Sequence, residues 1–215
     1  MKRFILSTIL NVIPLVAMEN NQLSNKGLLG ETFIKASIGT TSFGDKETAD
    51  LINSNINYEI SGQIKINNNL NFGGSVGMLN ADIDYNGITG DIIATSLSLG
   101  GLYHFLPNDT IDPFVSLNLA YIASNTNTKY QGQTFSKSDS DNGYSISAGA
   151  EFDLTNKIFL TPLLSYTKVG SNDASKDISV KIDFEVQKNI YLGSGINIDI
   201  DKTDTNYYVG ISFKF

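Results

Sequence analysis

Apolar and polar residues alternate with a period of two through most of this chain, a period that predicts β-strands rather than helices. The segment 54–66 is the clearest case. Ile56, Tyr58, Ile60, Ile64 and Ile66 share one face, and Asn57, Glu59, Ser61, Gln63 and Lys65 share the other. Segment 177–186 repeats the pattern, with Ile178, Val180, Ile182, Phe184 and Val186 set against Ser179, Lys181, Asp183 and Glu185. Segment 190–200 follows the same rule, and 207–215 closes the chain on Tyr207, Val209, Ile211, Phe213 and Phe215. Softer alternation marks 32–41, 70–79, 92–105, 114–123, 144–153 and 158–168. Together these predict about ten strands, each near the ~9–11 residues that a tilted strand needs to cross a bilayer.

The connections alternate too. Segments 67–69, 154–157 and 187–189 are short, and 106–113 is somewhat longer. Segments 42–53, 80–91, 124–141, 169–176 and 201–205 are longer and polar. Short turns at one end and long loops at the other predict an all-β, antiparallel up-and-down transmembrane β-barrel of about ten strands, with eight as the alternative count. Both termini then lie at the turn end. A soluble barrel would turn its apolar face inward. Here the polar faces carry small residues (Gly73, Ser75, Gly77, Ser96, Ser98, Gly100, Ser145, Ser147, Gly149), which suit a crowded interior better than a wetted surface. The apolar face is therefore expected to meet lipid. Tyr58, Tyr121, Tyr144, Tyr166 and Tyr207 fall near loop ends, while Phe72, Phe105, Phe152, Phe184 and Phe215 fall near turn ends, as two interfacial girdles require. Phe114 and Phe159 fall on the polar face.

The first residues read differently. Lys2 and Arg3 precede an apolar stretch over 4–17 that contains Pro14 and ends at Ala17. It is shorter than a spanning helix needs and reads as a secretory signal. The expected organisation is a signal peptide over 1–17, a linker over 18–30 and a barrel over 31–215. The chain has no cysteine, which excludes disulfides and thiol chemistry. Charged residues make up 17% and the formal net charge is −7. An acidic chain lacks the basic stripe that nucleic acid demands.

The leader, the alternation, the segment Asp112-Pro113-Phe114-Val115-Ser116-Leu117 opening a central strand, and the aromatic closing strand resemble the opacity-type, outer-membrane-protein-A-like bacterial β-barrel family. The resemblance implies a place in the cell outer membrane, with its lipid and lipopolysaccharide as surroundings. It also implies that Tyr207, Phe213 and Phe215 form the terminal signal read by the barrel-assembly machinery, and it implies no cofactor. The function it implies is that of a non-enzymatic surface protein (scaffold, antigen or adhesin) whose loops meet a host or surface ligand. A narrow porin for small solutes is the alternative, and an outer-membrane hydrolase a second one.

Candidate chemistry is sparse. Lys35, Glu59, Lys65, Glu151, Lys181, Asp183 and Glu185 are expected to line the lumen, together with Asp199 and Lys214, as a network in which buried charges of both signs pair. His104 is the one histidine, and it falls near the turn end on the polar face, where an interior hydrogen-bonded role is expected. Asp82, Asp84 and Asn86, followed by Gly87, match the opening of a calcium loop, but Ile93 stands where the bidentate acid belongs. They are a weak metal candidate set against an ordinary Asn-Gly turn. Asp199, Asp201 and Asp204 read as a solvated tip. The loop 124–141, with Tyr130 and Phe135, is the expected place of partner contact.

Overall fold

The computed structural model describes residues 27–107, 110–172 and 174–215. The segment read as a signal peptide lies outside them. Ten antiparallel strands close into one barrel: β1 (Phe33–Ser42), β2 (Ile52–Lys65), β3 (Leu70–Tyr85), β4 (Ile88–His104), β5 (Ile111–Tyr130), β6 (Gln133–Thr155), β7 (Ile158–Val169), β8 (Ser175–Gln187), β9 (Ile190–Asp199) and β10 (Thr205–Lys214). Each strand pairs with its sequence neighbours, and β1 pairs with β10 from Phe33↔Lys214 to Ser42↔Thr205. Closure leaves no sheet edge at bilayer depth, where an unpaired backbone group would be costly.

The alternation maps onto the barrel inside out. On β2, Ile60 is 59% exposed while its neighbour Glu59 is 5% exposed. The same holds for Ile56, Tyr58 and Ile64 against Asn57, Ser61 and Gln63. An exposed band this apolar and continuous needs lipid around it. The five tyrosines expected at loop ends are exposed on the outer face, as are Phe72, Phe105, Phe184 and Phe215 at turn ends. Tyr103 and Phe105 meet edge to face with centroids 5.3 Å apart. Phe114 and Phe159 point inward and are buried.

The polarity of the outer face reverses above the tyrosines. On β3 the outward residues pass from Met78 to Asn80, Asp82 and Asp84, while the inward ones become Leu79, Ala81 and Ile83. On β5 they pass from Tyr121 through Ala123 to Asn125. The sheet continues out of the lipid with water outside and an apolar lining within.

This corrects two expected loops. Residues 80–91 and 124–141 are strand extensions rather than loops, joined by two-residue turns at Asn86-Gly87 and Gln131-Gly132. All four turn residues have positive φ (50°, 79°, 49° and 79°), the mirror-image turn that matches strand twist. The tip of the β5–β6 ribbon stands about 35 Å along the strand beyond the tyrosine level. Gly132→Val should cost about 1 kcal/mol locally, because a β-branched residue resists positive φ. The expected readout is faster amide exchange over 126–137 with unchanged exchange in the barrel.

Segment 42–53 contains a short helix, α1 (Lys46–Leu51), as well as loop. Asp45 caps it, accepting from Thr48 N at 2.9 Å and Thr48 Oγ1 at 2.8 Å. These bonds hold the Asp45 carboxyl below its ordinary pKa.

Candidate functional site

The lumen is filled by apolar side chains at the turn end and receives an inward-folded connection at the loop end. At the turn end, residues 27–30, expected as part of a linker, lie inside the barrel. Leu28 packs with Phe33, Phe159 and Tyr191, and Leu29 packs with Leu102 and Phe114 beside Leu163. The sequence puts these aromatics on the polar face because they receive this segment. Leu29 N donates to Glu151 Oε2 at 3.1 Å, and Glu31 pairs with Lys214.

At the loop end the connection between β1 and β2 crosses the inner face. Phe43 and Leu51 pack with Ile88 against Ile52, Ala81, Ile83 and Ile92. Gly44 N reaches Asp204 Oδ1 on the β9–β10 connection at 2.9 Å. Two of the three acids read as a solvated tip are in fact buried. Asp204 is bound by this clasp, and Asp199 accepts from the amides of Asp201 (2.9 Å) and Lys202 (3.0 Å) and from Ser175 Oγ (3.0 Å).

Between the turn-end plug and that connection lies the charged layer. Lys181 Nζ pairs with Asp183 Oδ2 at 2.8 Å, and Glu151 lies within the field of both. Lys35 stands 4.4 Å over the Tyr208 ring and interacts with Glu59, Asp183 and Lys181. Gly195, opposite Tyr208 in the ladder, makes that ring position available, since a Cβ there would stand 2.7 Å from Tyr208 Cε1. The structure thus brings Lys35, Glu59, Glu151, Lys181 and Asp183 into one cluster. Lys65 and Glu185 lie apart at the turn end, where Glu185 accepts from Asn189 N at 3.2 Å. A cavity of about 80 Å³ runs from Leu29, Phe114 and Leu163 of the plug past Glu59, Lys181 and Tyr208 to Asn57 and Asn197. It is large enough for a few waters.

His104 is fully buried. Asn71 Nδ2 donates to its Nε2, leaving Nδ1 to donate to Asp112 Oδ2 at 2.7 Å. Both ring nitrogens are engaged, so the imidazole ties three strands rather than facing a substrate. The calcium-loop residues do not wrap a centre. Asp82 and Asp84 project from the outer face of β3, with Asp82 accepting from Ser54 Oγ at 2.7 Å, and Asn86 sits in the turn. Tyr207, Phe213 and Phe215 are exposed on the outer face of the closing strand and its end.

The two longest described strands, β5 and β6, continue as an exposed ribbon. One face is a ladder of amides and hydroxyls, with Ser136 Oγ donating to Asn127 Oδ1 at 2.8 Å and Ser138 Oγ to Asn125 Oδ1 at 2.5 Å. The other carries Tyr130 and Phe135, 45% and 54% exposed, a diagonal pair in the ladder.

Residues 12–215 match the family model described as outer membrane protein beta-barrel domain. No curated protein matches. Among solved structures, the chain is similar to the translocator domain of the autotransporter NalP from Neisseria meningitidis, at 11% identity and TM-score 0.56, covering 88% of this chain and 90% of that one. It is also similar to the transport unit of the autotransporter AIDA-I from Escherichia coli, at 11% identity and TM-score 0.53, covering 97% and 98%. A third is Ail, the attachment invasion locus protein of Yersinia pestis, at 15% identity and TM-score 0.43, covering 86% and 97%.

Proposed function

The chain belongs to the outer membrane protein beta-barrel domain family, and from that premise we propose that it is a non-enzymatic, non-conducting surface protein, an anchor that holds a rigid extracellular sheet into the medium. The observation that carries this reading is the pairing of an apolar plug at the turn end of the lumen with strands that run far beyond the lipid band. A pore would need a continuous polar path, and here Leu28, Leu29, Phe114 and Phe159 fill the turn end. An adhesin or antigen needs a stiff exposed element, which the β5–β6 ribbon supplies. Outer-membrane lipid and lipopolysaccharide are its surroundings in this reading, and Tyr207, Phe213 and Phe215 are what the assembly machinery reads.

The refolded protein in a planar bilayer is the direct test. The expected record is a flat baseline, and regular conductance steps would replace this reading with the porin alternative. Cells displaying the chain should bind a target surface more than cells displaying it with residues 126–137 replaced by a short turn.

A further inference from the structure

The lipid-facing wall is not evenly filled. A groove of about 600 Å³ opens on its outer face where β8, β9, β10 and β1 lie side by side, against about 80 Å³ for the cavity in the lumen. Residue size explains its position. Outward positions here carry the exposed Ile38, Phe184, Leu192 and Val209, but Ala36 on β1 and Ser194 on β9 stand among them. These two small residues flank β10, since Ala36 pairs with Ile211 and Ser194 with Val209. The hollow lies in the turn-end half of the strands. Its Phe184↔Leu192 pair stands three rungs from the β8–β9 turn, about 10 Å along the strand, or about 8 Å in depth at a tilt of about 40°.

Below the groove the surface is basic. Lys188 stands in the β8–β9 turn and Lys157 in the neighbouring β6–β7 turn, and Glu185 N donates to Lys157 O at 2.9 Å. Among the described residues, these two lysines are the exposed charged side chains of the turn end. The acids of that end face the lumen. Glu31, Asp112 and Glu151 are buried, Glu185 accepts from Asn189 N at 3.2 Å, and Asp153 lies opposite the inward Phe159. Exposed acids gather instead at the loop end, at Asp82, Asp84, Asp139 and Asp201. A chain of net charge −7 thus meets the turn-end interface with two cations.

We propose that this groove seats one acyl chain of an anionic glycerophospholipid from the leaflet at the turn end, with the phosphate held by Lys157 and Lys188. The medium dictates what fills the groove, because a hollow that opens onto the lipid band is reached by hydrocarbon and not by water. A chain lying in it gains close contacts on several sides that a flat wall does not offer. The lysines dictate the charge, since cations at the interface attract anionic headgroups. Depth joins the two features. The polar layer that separates phosphate from hydrocarbon is about 5–8 Å deep, close to the rise from the lysine-bearing turn to the Phe184↔Leu192 pair.

The test is native mass spectrometry of the full refolded chain, released from mixed micelles that hold equal amounts of phosphatidylglycerol and phosphatidylcholine with the same acyl chains. The parent should retain about one lipid, with phosphatidylglycerol favoured about tenfold. Lys157→Gln with Lys188→Gln should cut that preference to about twofold or less while lipid is still retained. Ala36→Leu with Ser194→Leu fills the hollow and keeps the lysines, and should remove the retained lipid. Ser194→Leu alone, the milder change, should lower retention about threefold. Heat-dependent gel migration confirms that each variant is folded. Full retention in the filled variants would reduce the interaction to headgroup adsorption and overturn the proposal. So would an absence of retained lipid, a spread of several lipids without a dominant stoichiometry, or equal retention of the two headgroups by the parent. Lipopolysaccharide outcompeting phosphatidylglycerol for the groove would assign it to the other leaflet and overturn the proposal as well.

Discussion

Leu117→Arg is expected to lower the stability of the folded barrel in lipid by about 2–4 kcal/mol, the cost of a cation on the lipid face near the bilayer midplane. Leu117 is 53% exposed on the outer face of β5, midway between Ile111 and Ala123. Asn125→Arg places the same group on the same face of the same strand above the polarity reversal, and should stay within about 0.5 kcal/mol of the parent. Urea unfolding in vesicles, followed by heat-dependent gel migration, reads both. The two sites share strand, face and substitution, so only the surrounding medium differs. Similar costs at the two positions would mean that lipid does not end at Tyr121, and the reading of the β5–β6 ribbon as an exposed element would fail with it.

The same boundary explains what the chain reveals before it is folded. Strands within the lipid band are legible because greasy residues face outward and small ones inward, so Ile56 to Ile66 or Ile178 to Val186 announce their period. Above the band that contrast inverts or vanishes. Asn80, Asp82 and Asp84 point out where Phe72, Val76 and Met78 did below, and an Asp/Asn/Gly-rich stretch then reads as a loop. On 124–141 both faces are mostly polar, with Tyr130 and Phe135 alone as large apolar residues, which leaves little contrast. Only the β-branched threonines and the Xaa-Gly turn hinted at a ribbon. The turn-end closure was illegible for another reason. Gly-Leu-Leu-Gly at 27–30 is too short to carry a period, and its partners Leu102, Phe114, Phe159 and Tyr191 come from four other strands. Phe114 and Phe159 on the polar face were the one signal, since an aromatic pointing into a lumen needs something to pack against. The charged layer was legible residue by residue, but the separation of Lys65 and Glu185 from the rest depends on ladder register, which alternation does not encode.

Lys181→Ala should be among the most damaging single changes inside the barrel, at about 3–5 kcal/mol, because it strips a buried acid of its partner. Asp183 is 0% exposed and its oxygen lies 2.8 Å from Lys181 Nζ, while Glu151 is buried in the same field. With Lys181 gone, Lys35 is the remaining cation acting on that cluster, and it already serves Glu59. The pair need not be a net stabiliser for this to hold. Moving both charges out of water costs about what their attraction returns, so Lys181→Met combined with Asp183→Asn should recover most of the loss. The combination of a large single effect and a near-neutral double is specific to a buried ion pair. If Lys181→Ala costs less than about 1 kcal/mol, water reaches the layer freely, as it does at surface ion pairs. The packed lumen on which the non-conducting reading stands would then be open to solvent.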